Sequence, residues 1–250
     1  MGGPGGERKT GAGEIHPRPV TDPLLRRLRA KMVAEADPTR AAAQQAYMKS
    51  TMPYHGLRLA QVRAISKRVF AEERFETCAE WREQVLALWR GAKFREERYA
   101  ALEMASARQA TGCRGPDALP MFEEMITTGA WWDHVDGVAH LVGDMLRAHP
   151  RQLRPRMRAW SRDENMWKRR VSIICQISFK KETDLKLLYA NIDPNVADRD
   201  FFIRKAIGWA LRSYAWTDAA EIARYVREHE QVLSGLSRRE ALKNLPASAR

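Results

Sequence analysis

The sequence predicts an all-α protein, an α-solenoid of stacked antiparallel helix pairs, curved around a basic concave groove. Three observations predict it. Apolar residues recur with the 3.6-residue helical period through nearly every segment from Thr21 onward. No segment shows the strict alternation of a half-buried strand, and no hairpin turn is found. A pair of large apolar residues opens a helix at a fixed interval: Trp131-Trp132, Met166-Trp167 and Phe201-Phe202 are spaced by 35 residues, the length of a repeating helical unit. In such an array each unit packs on its neighbours, and equivalent helices line one concave face.

In chain order, residues 1–20 are Gly-, Pro- and charge-rich with nothing to bury, and are expected to form a disordered leader. Residues 21–250 are expected to form a single domain. Leu24, Leu25, Leu28 and Met32 make the apolar stripe of a first helix. Val85, Leu86, Leu88 and Trp89 belong to another, and Tyr99, Leu102 and Met104 to the next. Asp37-Pro38, Met52-Pro53, Gly115-Pro116, His149-Pro150, Asp193-Pro194 and the cap-like Thr217-Asp218 mark stops and starts. The sum is about a dozen helices of roughly 10 to 17 residues. Within the spaced helices Val135, Arg170 and Lys205 align, as do Ala139, Ile174 and Trp209. The array would therefore bring Trp132, Asp136, Arg170 and Trp209 to one groove. Aromatic residues at equivalent repeat positions also serve as core: Phe201 is read as core, while both readings stand for Trp132 and Trp209.

A chain of 250 residues with 44% hydrophobic content can bury a sizeable core. Lys and Arg number 43 against 31 Asp and Glu, a formal net charge of +12. That balance favours a polyanionic partner, nucleic acid ahead of an anionic membrane surface; charge kept only for solubility is the blander account. Cys78, Cys113 and Cys175 form no CxxC pair and lack metal-ligand spacing. An odd, dispersed set points to a reducing cytosol and not to a disulfide framework, with Cys175 a small core residue in an apolar run. No apolar run reaches the length of a membrane span, and the N-terminus has no secretory core. P-loop, GxSxG and HExxH motifs and a Cys/His nucleophile pair are missing, so ATP-driven, acyl-transfer and zinc-hydrolase chemistry find no support.

Trp131-Trp132-Asp133-His134-Val135-Asp136 is the densest signal. Trp132 and Asp136 share a helix face, which sets an aromatic plate beside a carboxylate. Such a site suits a cationic or electron-poor group next to nucleic acid. The residues after Asp136 are apolar, and a carboxylate near a buried surface is expensive unless paired or used. Two readings are open for Asp136: catalysis, or a salt bridge to Arg170 of the next repeat. Asp136, His140 and His134 do not amount to a metal site, because no Cys or further His completes a ligand set; His140 is read as packing within its helix.

Arg151, Arg154, Arg156, Arg158, Arg162, Lys168, Arg169 and Arg170 form a basic segment against only Asp163 and Glu164. Phosphate contact and a solvated helix face are both open for it, the latter for several of its arginines. Phe201-Phe202 through Tyr214 mixes aromatics with Arg204, Lys205 and Arg212, and Trp209 lies two turns from Phe202 on the same face. Bases stack on such rings.

Four segments resemble the AlkD-type DNA alkylation repair glycosylases: Ala46-Tyr-Met-Lys, Trp131-Trp-Asp-His-Val-Asp, Met166-Trp-Lys-Arg-Arg and Phe201-Phe-Ile-Arg-Lys-Ala-Ile-Gly-Trp-Ala-Leu-Arg. Leu236-Ser-Arg-Arg-Glu-Ala is a weaker fifth. Together they span residues 22–245. The resemblance implies HEAT-like repeats and hydrolytic excision of cationic N3- and N7-alkylated purines from double-stranded DNA. It carries the catalytic aspartate onto Asp136 and the flanking aromatics onto Trp132 and Trp209. Arg170 becomes the groove arginine near the lesion backbone, with neighbouring Arg169 as its competitor, and Tyr47 a member of the same cleft. Lys168, Phe202, Arg204, Lys205 and Arg212 are candidate DNA contacts, and His134 receives no role. No metal or cofactor is implied. A bacterial cytoplasmic monomer working at the nucleoid is expected.

Overall fold

The computed structural model describes residues 23–245; the predicted leader lies outside them. The described residues form thirteen α-helices and four short 3₁₀ segments, with no strand. The helices are α1 (Pro23–Ala34), α2 (Pro38–Met48), α3 (Leu59–Phe70), α4 (Cys78–Gly91), α5 (Arg95–Ser106), α6 (Leu119–Gly129), α7 (Trp132–Ala148), α8 (Pro150–Trp160), α9 (Met166–Ile174), α10 (Leu185–Ile192), α11 (Phe201–Ala215), α12 (Ala219–Glu228) and α13 (Gly235–Leu242). They run from 8 to 17 residues, the shortest below the expected range.

Local chemistry sets most of the starts. Asp37, Thr77, Asn165, Asp184, Asp200, Asp218 and Ser234 each accept a backbone N–H of the helix that follows. Such caps contribute about 1 kcal/mol apiece. Pro38 and Pro150 occupy first turns, where the missing N–H costs nothing. Pro155 lies inside α8, where it removes one helical hydrogen bond.

Helices α3, α5, α7, α9, α11 and α13 pack side by side as one layer, and α4, α6, α8, α10 and α12 return as a second layer. The fold is a helical solenoid. A single core cluster runs from Leu24 to Ala241, with Trp81, Trp89, Phe122, Met125 and Met145 among its largest fully buried side chains. The predicted stripe of Leu24, Leu25, Leu28 and Met32 is buried, and so is Cys175. Helices α7 and α9 approach closely at Gly143, where a Cβ would stand 2.2 Å from the Cys175 carbonyl oxygen. That approach brings residues of α9 within reach of α7.

Two expectations are corrected. Cys78 and Cys113 form a disulfide that ties the start of α4 to the 3₁₀ segment at residues 108–113. Their separation is 35 residues, the repeat spacing itself; side chains one repeat apart come together in a solenoid. Phe201 is 52% exposed and is not core. Its neighbour Phe202 takes the inward direction, half-buried against Trp131 and Trp167.

Candidate active site

Helix α7 starts where Trp131, in extended conformation, hands over to Trp132. Its first two turns send carboxylates to both neighbouring helices. Asp133 reaches back to α5: Arg95 donates Nε to Oδ2 at 2.9 Å and Nη2 to Oδ1 at 2.5 Å, and the Tyr99 hydroxyl donates to Oδ2. Asp136 reaches forward to α9: Arg170 donates Nε to Oδ1 at 2.7 Å and Nη2 to Oδ2 at 2.8 Å. The remaining Nη1 of Arg170 donates to the Phe202 carbonyl at 2.7 Å, so the guanidinium joins α7, α9 and α11. Bidentate forks of this kind fix both distance and orientation.

Above these pairs lies a cleft of about 630 Å³. Tyr47, Tyr54, Tyr99 and Trp132 give it aromatic walls, Leu57, Leu102 and Leu141 apolar ones, and Asp133, Asp136 and His140 polar ones. Tyr47, on the last turn of α2, stands 77% exposed at the rim. Tyr54 shares a 3.3 Å hydroxyl contact with Tyr99. The segment carrying Tyr54 is pinned from below: buried Glu96 of α5 accepts the N–H groups of His55, Gly56 and Leu57 at 3.0, 2.8 and 3.0 Å. Glu97, equally buried, is desolvated, which alone would raise its pKa. Arg29, His55 and the Lys93 amide outweigh this and hold it down to about 2.

Electrostatics separate the two aspartates. Burial pushes the Asp136 carboxyl above the ordinary aspartate value, with the Arg170 guanidinium opposing. Burial acts on Asp133 in the same sense, but the Arg95 guanidinium and the Tyr99 hydroxyl bring it below the ordinary value. His134 is fully buried, edge-on to Trp89 and Tyr99, and desolvation drops its pKa to about 4. It is a neutral core side chain.

Of the residues singled out in the sequence, Tyr47, Trp132 and Asp136 line this cleft, with Arg170 buried behind Asp136. Trp209 is half-buried on α11 and does not line it. Arg169 donates to Asp198 at 2.9 Å and to the Asp163 and Glu164 carbonyls, so it is Arg170 that meets Asp136. Lys168 is held by Glu123 and Asp163 at 2.6 and 2.5 Å. Arg204 donates to the Asp200 carbonyl at 3.3 Å. Lys205 and Arg212 both pair with Glu240 of α13, at 2.7 and 2.5 Å. Among the described residues Arg63 is the sole Lys or Arg lining the cleft, facing Glu103 at 3.1 Å. His140, expected to pack within its helix, is exposed to the cleft instead. Tyr54, Tyr99, Asp133 and His140 were not singled out as site residues. Asp133, between Trp132 and Asp136 in the same motif, carried the clearest signal. Among the described residues no group of three or more His, Cys, Asp and Glu side chains is arranged to hold a metal ion. No described helix is long and apolar enough to cross a membrane.

This solenoid, with its carboxylate-bearing cleft, has known counterparts. Residues 28–245 match the model of the DNA alkylation repair enzyme family, and the chain belongs to that family. A solved structure described as a predicted DNA alkylation repair enzyme from Enterococcus faecalis is similar, with 30% identity and a TM-score of 0.76 over 85% of this chain and 97% of that one. No curated protein matches the chain. The family assignment makes DNA the substrate and an enzyme role the function.

Proposed function

We propose that the protein is a DNA glycosylase that removes cationic N3- and N7-alkylated purines from double-stranded DNA by hydrolysing the N-glycosidic bond. The observation that carries this reading is Asp136: an Arg170-oriented carboxylate, 16% exposed, on the wall of an aromatic cleft beside Trp132. An alkylated purine bears a formal positive charge, so it leaves readily with the electron pair of the breaking bond and needs little general acid. The developing charge sits on the sugar. Trp132 offers it a π face, and Asp136 offers a negative charge in a partly desolvated site, where electrostatic stabilisation is strongest. Each Asp136 oxygen accepts one bond from Arg170 and retains capacity for an attacking water. The base departs neutral with the electron pair, water adds to the anomeric carbon, and its proton passes through Asp136 to bulk solvent. The substrate class, the duplex form and a monomeric working state all belong to this proposal.

A second reading is favoured by the same pair: Asp136 is fully forked by Arg170, and Trp209 stands outside the cleft. Both features suit a non-catalytic module that binds distorted or branched nucleic acid. Asp136→Asn decides between them. It retains binding to methylated duplex but no longer releases 7-methylguanine or 3-methyladenine. Wild-type release by the Asn variant overturns the mechanism, and no release by the wild type itself leaves the binding module.

A further inference from the structure

We propose that α8 forms a second polyanion-binding face, built to hold the phosphodiester backbone of a duplex segment outside the cleft. The stretch Pro150–Arg162 contains five arginines and no Asp or Glu. Burial of Leu153, Met157 and Trp160 fixes which side of the helix faces the protein. Arg151, Arg154 and Arg158 then fall at i, i+3 and i+7 on the exposed side, a row about 10 Å long at roughly 1.5 Å per residue, and exposed Arg162 follows in the turn after the helix. None of them lines the cleft, because α8 belongs to the second layer, packed on α7, α9 and α10.

Among the described residues little neutralises this row. Arg154 pairs with Asp184 of α10 at 2.9 Å. Arg162 donates to the Arg158 carbonyl and the Ser161 hydroxyl. Among the described residues Arg151, Arg158 and Arg162 form no ion pair. Beside the row a groove of about 520 Å³ between α8 and α10 is lined by Arg154, Pro155, Arg158, Asp184, Lys186 and their neighbours. Local physics opposes such an arrangement. Arg154 and Arg158, four apart on the helix, repel. Arg151 sits in the first turn, at the positive end of the helix dipole. A face kept only for solubility mixes signs, as α12 does, where Arg224 bonds to both Glu221 and Glu228.

The occupant follows from what the row offers and lacks. Guanidinium forks match phosphate oxygens. Apart from the arginines, the exposed α8 residues are Gln152, Pro155 and Ala159. There is no aromatic or leucine to insert into a lipid surface and no apolar centre for a protein interface. DNA is the polyanion this family acts on. The proposal does not rest on the chemistry assigned to Asp136.

The test measures binding of the full chain to an unmodified duplex across a salt series. Arg151→Gln/Arg158→Gln/Arg162→Gln is expected to make the log–log salt slope shallower by about 2 to 3, near 0.9 for each lost phosphate contact. The same positions changed to Lys keep a near wild-type slope. A charge-matched control, Arg68→Gln/Arg90→Gln/Arg224→Gln, removes three arginines that already have acidic partners and moves the slope by less than about 1. Equal slopes for the two glutamine triples overturn the proposal, as does a lysine triple that falls as far as the glutamine one. So does an α8 triple with wild-type DNA behaviour that has lost affinity for phosphatidylserine vesicles. The salt slope on unmodified duplex and base release from methylated duplex are separate readouts, so failure of the α8 face and failure of the cleft chemistry are read separately.

Discussion

Asp133 and Asp136 leave α7 three residues apart and meet the same partner type from opposite flanks, yet they end in different states. On the α5 flank Asp133 accepts two bonds from Arg95 and a third from Tyr99. On the α9 flank Asp136 accepts only the two from Arg170. A carboxylate has about four acceptor sites, so Asp136 has more unused capacity at the cleft. The net displacement of their pKa values follows, down for Asp133 and up for Asp136. The same arginine fork thus serves as structural glue at Asp133 and, under the proposed mechanism, as the holder of the reactive carboxylate at Asp136. Pairing alone does not tell them apart; what remains unsatisfied at the opening does.

The largest expected effect breaks or sustains this distinction directly. With activity normalised to folded protein, Asp136→Asn lowers single-turnover base release by about 100- to 1,000-fold, the usual size of a lost charge-stabilising group. Asp133→Asn stays within about 10-fold, since its geometry is held by Arg95 and Tyr99 and not by substrate. Equal losses would show that the two flanks work as one unit.

Next in size is the stability of the closed flank. Asp133→Asn leaves the Arg95 guanidinium, with only 7% of its side chain exposed, without its counter-charge. A broken buried pair costs about 3 kcal/mol, read as a lower urea midpoint. A loss below about 1 kcal/mol would show that Arg95 turns out to water and that this flank is not closed.

His134 supplies a pH-dependent counterpart on the Asp133 side. Its folded pKa, about 4, lies below the ordinary value of 6.5. Between those values the unfolded chain binds a proton that the folded protein refuses, so stability is full above about pH 6.5 and declines as the pH falls toward 4. The loss is on the order of 2 to 3 kcal/mol. His134→Phe keeps an aromatic against Trp89 and Tyr99 and should flatten the decline across that window. A variant with the wild-type slope assigns the acid sensitivity to other groups.

The layout of helices was legible because its signals are local. Caps such as Asp37 and Asp218 and the stripe of Leu24, Leu25, Leu28 and Met32 act within a few residues. The Asp136–Arg170 pair was legible for another reason: its partners lie one repeat apart. Cys78 and Cys113 also lie one repeat apart, at 35 residues, but the cysteines were read against local pair motifs and metal spacing, where a one-repeat link leaves no mark. The tyrosine wall was unreadable because Tyr54 is placed by Glu96, some 40 residues away and outside any period. Lys205 and Arg212 read as candidate DNA contacts although Glu240 of α13, which pairs with both, lies 35 residues after Lys205, the repeat spacing again. Phe201 and Phe202 illustrate the limit at single-residue scale: adjacent helical positions point about 100° apart, so one apolar pair supplies one core residue.

The smallest effect probes the outer edge of the tyrosine wall. Tyr47 is exposed and makes no hydrogen bond or ring contact in the described fold that would hold it there. A core role would bury the ring, whereas a stacking role needs it open. Tyr47→Ala should therefore leave the unfolding midpoint unchanged within about 0.5 kcal/mol. It should weaken binding to methylated duplex by about 5-fold, the low end of what a base–aromatic stack contributes. The saturated rate of base release should change far less than affinity, since the ring lies at the rim and Asp136 lies on α7. A fall in that rate comparable to Asp136→Asn would move the reacting sugar toward α2. Unchanged affinity would shift substrate contact off the tyrosine wall and onto the α9 flank, where Arg170 holds Asp136.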